Sequence, residues 1–114
     1  MRKIEAQMIE AINAKQNWSS GNTEVQRVSD YFFVVYLHGN KIATIDDSSL
    51  TLFDGGYRSA TTKSRLNALC SEFCIHGEGV FQKDFLWYVH KFVGQAGQSK
   101  VYNADEFRSG YVFS

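Results

Sequence analysis

The chain has 114 residues, 44% of them apolar and 15% aromatic, enough for one folded unit with a core and too little for a catalytic domain plus a second domain. Its 12 basic and 12 acidic residues cancel. That argues against wholesale disorder, and against a protein held to nucleic acid or membrane by bulk charge. No apolar run approaches the roughly 20 residues of a membrane span, and Glu5, Gln7 and Glu10 interrupt the N-terminal apolar pattern, so it does not read as a signal peptide. The expectation is a small soluble intracellular domain, residues 1–114.

Ile4, Met8, Ala11 and Ile12 recur at helical spacing and predict an amphipathic helix over residues 3–16, with Lys3, Glu5, Glu10 and Lys15 on its polar face. Asn17 to Thr23 is rich in turn formers. Strands follow at 25–28 and 31–38. Tyr31 to Leu37 is aromatic and β-branched throughout, which predicts a central strand covered on both faces. Gly39-Asn40 then suits a type II′ turn, giving a hairpin over 31–46. Leu50 to Phe53 is a further short strand between Asp46-Asp47-Ser48-Ser49 and Asp54-Gly55-Gly56.

Leu66, Leu69, Cys70 and Phe73 predict a second helix over 62–75, with Thr61 or Thr62 as its cap and Gly77 ending it. Residues 85–93 read as a strand apolar on both faces, and the tail as short strands near Val101-Tyr102 and at Tyr111 to Phe113. Strands interleaved with two helices, without a regular βαβ alternation, give an α+β class: an antiparallel meander with an N-terminal and a central helix packed on it.

Charge is uneven along the chain. Residues 24–54 carry a net −3 and residues 58–65 a net +3. The basic segment opens the second helix, where the backbone's partial positive charge favours acids by about 0.3–1 kcal/mol each. No acid stands there. Arg58, Thr61, Thr62, Lys63 and Arg65, with free backbone N–H groups, would suit a phosphate or carboxylate. The competing expectation is that Lys63 and Arg65 face solvent, or that the cations pair with Asp46, Asp47 or Asp54. The spacing is not that of a phosphate loop, so nucleotide hydrolysis is not supported.

Other constellations are weaker. Cys70, Cys74 and His76 lack a C-x2-C element and a fourth ligand, so neither zinc nor a disulfide framework is expected, and Cys70 reads as a core residue. Asp46, Asp47 and Asp54 lack EF-hand spacing and read as a solvated hairpin end. His38 reads as a turn residue and His90 as a half-buried packing residue. There is no nucleophile elbow, so no catalytic residue and no cofactor are expected. Tyr31, Phe33, Tyr36, Trp87, Tyr88 and Phe92 could form a stacking platform, but cations are scarce among them, so the core is the better expectation. An exposed aromatic patch would mark a protein partner or a homodimer face.

Several segments carry a resemblance. The run Lys3 to Ile12, the Asn22-Thr23-x-Val25 element, the Tyr36-Leu37-His38-Gly39-Asn40-Lys41-Ile42-Ala43 hairpin and Gly55 to Leu69, with its Thr61-Thr62-Lys63-Ser64-Arg65-Leu66-Asn67-Ala68-Leu69 core, resemble small proteins of marine T7-like podoviruses, cyanophages among them. The resemblance covers roughly residues 1–90. It implies a phage source and the cytoplasm of an infected bacterial host, and brings no catalytic residues to carry over. The expected function is a non-enzymatic phage accessory protein that binds a host protein, in host takeover or anti-defence. The alternative is a nucleic-acid or nucleotide binder using residues 58–65.

Overall fold

Two helices and nine strands, all paired antiparallel, make up the α+β fold in the computed structural model, which describes residues 1–114. Helix α1 spans Lys3–Asn13, and β1 (Trp18–Ser20), β2 (Thr23–Ser29), β3 (Phe32–Leu37), β4 (Asn40–Ile45) and β5 (Leu50–Leu52) follow. Helix α2 spans Ala60–Phe73. After it come β6 (Gly79–Lys83), β7 (Leu86–Ala96), β8 (Ser99–Glu106) and β9 (Tyr111–Phe113). The first sheet runs in the order β1-β2-β3-β4-β5-β9, and the second is the meander β6-β7-β8. No helix is long and apolar enough to cross a membrane.

Both helices pack on one face of the first sheet. Met8, Ile9 and Ile12 of α1 and Leu66, Leu69 and Cys70 of α2 meet Val25, Phe33, Val35, Ile45 and Leu52 in one cluster. Val80, Trp87, Val89 and Phe107 join the same cluster, so the second sheet turns its inner face to it. The expected double cover of β3 is therefore half right. Phe33, Val35 and Leu37 are core, whereas Val34 is buried outside the cluster, sheltered by half-buried Phe32 and Tyr36 on the outer face.

Local chemistry moves several expected boundaries. Helix α1 stops at Asn13 because Lys15 turns left-handed (φ 56°). The segment from Asn17, expected as turn only, contains β1, and the Asn17 side chain accepts the Arg27 N–H. The β3–β4 loop is His38-Gly39, not Gly39-Asn40. Both residues have positive φ (52° and 77°), which makes it type I′ rather than II′. Ser59 caps α2, its Oγ accepting the Thr62 N–H at 3.1 Å, so the helix starts two residues before the expected cap positions allow. Its last residue is Phe73, with Cys74 as the C-cap, three residues before Gly77. Strand β6 was not expected from the sequence.

One edge of the second sheet is covered by a side chain. The Asn67 amide of α2 donates to the Val80 C=O and accepts the Val80 N–H, each at 2.8 Å, as a neighbouring strand would.

Candidate functional site

Four of the five residues expected to seat an anion, Arg58, Thr62, Lys63 and Arg65, have side-chain partners within the chain. Arg65 is 3% exposed. Its guanidinium meets Glu5 Oε2 at 2.8 Å and donates to Thr23 Oγ1 at 3.0 Å and Asn22 Oδ1 at 3.3 Å. Glu5, 2% exposed, also accepts from Ser64 Oγ at 2.6 Å and from the Arg2 N–H at 3.2 Å. Burial pushes its carboxyl upward in pKa, but the Ser64, Arg65 and Arg2 hydrogen bonds and the Arg65 charge outweigh that, and the net shift is downward.

Arg58 reaches Asp54 at 3.3 Å and the Phe107 carbonyl at 3.1 Å, and its guanidinium lies over the Trp87 and Phe107 rings. Thr62 is buried, with its hydroxyl on the Tyr57 carbonyl and Ser59. Thr61 is half-buried. Lys63 touches Gln82 Oε1 at 3.2 Å and meets no acid. The helix start therefore does not gather its cations at one solvent-facing point. Asp54 takes Arg58 as one expectation had it. The partner of Arg65 is Glu5, which the sequence reading placed on the polar face of α1.

Asp46 is tied into its own turn. Its pKa is lowered by the Ser48 backbone N–H first, and also by the Ser49 hydroxyl and N–H and the Ser48 hydroxyl. A hollow of about 420 Å³ beside this turn is lined by Asp46, Ser48, Phe73, Cys74, Glu78 and Phe113. Two of its acids are engaged: Asp46 in its turn, and Glu78, which accepts from the Ile75 and Phe92 N–H groups at 3.1 and 2.9 Å and lies 3.4 Å from the Lys91 ammonium. Cys70 and Cys74 are free thiols. The hydrogen bond of the Cys70 thiol to Cys74 and burial both push that thiol upward, away from a reactive thiolate. No group of three or more His, Cys, Asp or Glu side chains is placed to hold a metal ion.

The second sheet presents a different surface. Register pairs Phe81 with Tyr88, His90 with Ala104 and Phe92 with Tyr102, which puts these residues on one face, opposite Val80, Trp87 and Val89. Their rings form a continuous layer. Phe81 lies 5.5 Å from Tyr88 and 4.3 Å from His90, and Tyr102 lies 6.2 Å from His90 and 5.8 Å from Phe92. Phe81, Tyr88, Phe92 and Tyr102 are half-buried and His90 is exposed. The layer is anchored at its rim: the Tyr102 hydroxyl donates to the His76 carbonyl at 2.5 Å, beside Gly77, whose φ is 96°. A shallow hollow of about 310 Å³ adjoins Phe81, Lys83, Asp84, Tyr88 and Ala104.

Residues 85–93 are thus not apolar on both faces in the sense expected. Trp87 goes to the core, Tyr88 and Phe92 face out, and His90 lies tilted against Phe81 on the outer face, exposed rather than half-buried. Phe81 and Tyr102 were missed. The available signal was the chemistry of the alternate positions: Trp and Val point inward, while rings with polar tips (Tyr88, His90, Tyr102) point outward.

No curated protein and no solved structure matches the chain. Residues 1–114 match in full the family described as Kyanoviridae Gp96 protein. The chain belongs to this cyanophage family, in keeping with the phage resemblance of its N-terminal helix, hairpin and second helix.

Proposed function

We propose that the protein is a non-enzymatic phage accessory protein that binds a host protein in the cytoplasm of the infected cell, through the outer face of β6-β7-β8. The observation that carries this reading is the ring layer Phe81, Tyr88, His90, Phe92 and Tyr102, on a sheet face that neither helix covers. Aromatic residues with polar tips, rimmed by mixed charge, are the composition of protein interfaces. Register places Lys83, Lys100 and Glu106 on that same face. A nucleic-acid groove would need an excess of cations there. The alternative reading, an anion at residues 58–65, rests on Lys63, since Arg58 and Arg65 already have acidic partners.

The test is affinity capture from infected host lysate, with and without nuclease, using the wild-type chain and a Tyr88→Ser/His90→Ser variant. Both side chains lie on the outer face, away from the core, His90 exposed and Tyr88 half-buried, so the fold should survive, as circular dichroism would verify. One host protein retained after nuclease and lost with the double variant is expected. Capture that disappears with nuclease, or that the double variant leaves intact, overturns the reading. A steep salt dependence that Lys63→Ala flattens would favour the alternative.

A further inference from the structure

Strand β8 offers the longest open edge of either sheet. Strands β1 and β9 have three residues each, and Asn67 satisfies Val80 on β6. Strand β8 has eight residues, seven of them exposed, and borders only β7. The Phe107 N–H bonds the Trp87 carbonyl, so Asp105 and Asn103, at steps of two, direct their backbone groups to β7. The bulge lies in β7, between Phe92 and Gly94, and leaves β8 regular. Lys100, Tyr102, Ala104 and Glu106 therefore point N–H and C=O groups at the open edge.

We propose that this edge pairs with β8 of a second copy of the chain, antiparallel, about a two-fold axis through Asn103. The pleat and the charges select the register. A two-fold axis normal to the sheet keeps side chains on their own face, so only registers stepping by two are allowed. With Asn103 on the axis, Lys100 stands opposite the partner's Glu106 and Tyr102 opposite the partner's Ala104. All four outward-pointing residues of each strand are then paired, in about eight backbone hydrogen bonds. Lys100 and Glu106 make opposite-charge cross-strand pairs twice over. The neighbouring registers lose backbone bonds, and set Lys100 against Ala104 or Glu106 against Tyr102. Charge self-complementarity thus identifies the occupant as this same chain. Pairing joins two ring layers into one face on a six-stranded sheet.

Sedimentation equilibrium of the full chain from low micromolar to submillimolar concentration tests this. A species of about twice 13.0 kDa is expected. Ala104→Pro removes an N–H that β7 does not use and should give a folded monomer. Lys100→Glu or Glu106→Lys alone should weaken the dimer on the order of tenfold to a hundredfold, and the two together should restore it. A monomer at every concentration overturns the proposal. So does a dimer that survives Ala104→Pro, or one that the charge exchanges leave unmoved. Host-protein capture by the Ala104→Pro chain reads the proposed function separately.

Discussion

Replacing Arg65 with Met tests the reading of the basic helix start most directly. Met keeps most of the buried stem and removes the charge and three hydrogen-bonded contacts, to Glu5, Thr23 and Asn22. Thr23 stays satisfied, because its hydroxyl also donates to Asn22 Oδ1 at 2.8 Å. Glu5 does not. It remains 2% exposed with only Ser64 and the Arg2 N–H around its charge. Breaking a buried pair from one side costs about 3–5 kcal/mol, against a total stability of about 5–15 kcal/mol for a domain. Urea unfolding followed by circular dichroism should show that loss with an unchanged slope, and the melting temperature should fall by about 10–20 °C.

The companion variant Glu5→Leu/Arg65→Met removes both charges. Ser64, half-buried, can turn to water. Apolar replacements of buried ion pairs are often neutral, so this variant should return to within about 1 kcal/mol of the wild type. An Arg65→Met protein that loses less than about 1 kcal/mol would refute the reasoning, since Arg65 would then not be the cation that holds Glu5 in the core.

Glu5 also sets an acid limit. Its folded-state pKa lies below the ordinary value of 4.5, so its contribution is complete above that pH and is lost as the pH falls through the folded value. Acid unfolding of Glu5→Gln, monitored by circular dichroism, should be flatter than that of the wild type across this window. Asn67→Ala strips both hydrogen bonds from Val80, and a loss of about 1–3 kcal/mol is expected, with faster hydrogen exchange at the Val80 amide. Gly77→Ala places a methyl group against the Tyr102 hydroxyl at a φ of 96°, so thermal unfolding should report a loss of about 1–3 kcal/mol. Tyr102→Phe in that background should recover part of it.

Where apolar spacing and turn chemistry act locally, the sequence was a good guide. Strand β9 falls on Tyr111–Phe113, both helices stand within a few residues of expectation, and the β3–β4 hairpin is present. The misses arose where a contact joins distant segments. Glu5 and Arg65 each sit on the apolar stripe of their own helix: Glu5 lies three and four residues before Met8 and Ile9, and Arg65 three and four before Ala68 and Leu69. Two opposite charges so placed on two helices were the readable signal of a buried pair. The cations of residues 58–65 are close in sequence and read as one cluster, which hides that pair. Strand β6 is hard to read for a different reason: only Val80 of its five residues is buried, and Gln82 and Lys83 are polar and exposed.

The two charge anomalies of the fold have different consequences. At the start of α2, Lys63 costs at most about 0.3–1 kcal/mol against the helix dipole and Arg65, the sixth residue of the helix, lies beyond the first turn where the dipole acts, whereas losing the Arg65 partner of Glu5 costs about 3–5 kcal/mol. The internal contact therefore dominates, and the helix start needs no ligand to account for its composition. The second sheet lacks such a closed account. Its inner face is satisfied by the core, its β6 edge by Asn67, and its rim by Glu78 and by Tyr102 on His76. These anchors hold the sheet without laying a helix across it. They leave a half-buried aromatic face and the edge of β8 open, and ring pairing recovers only part of what full burial of those rings would contribute. A surface that covered them would remove the remaining apolar area from water, which is why binding through this sheet is the function to test.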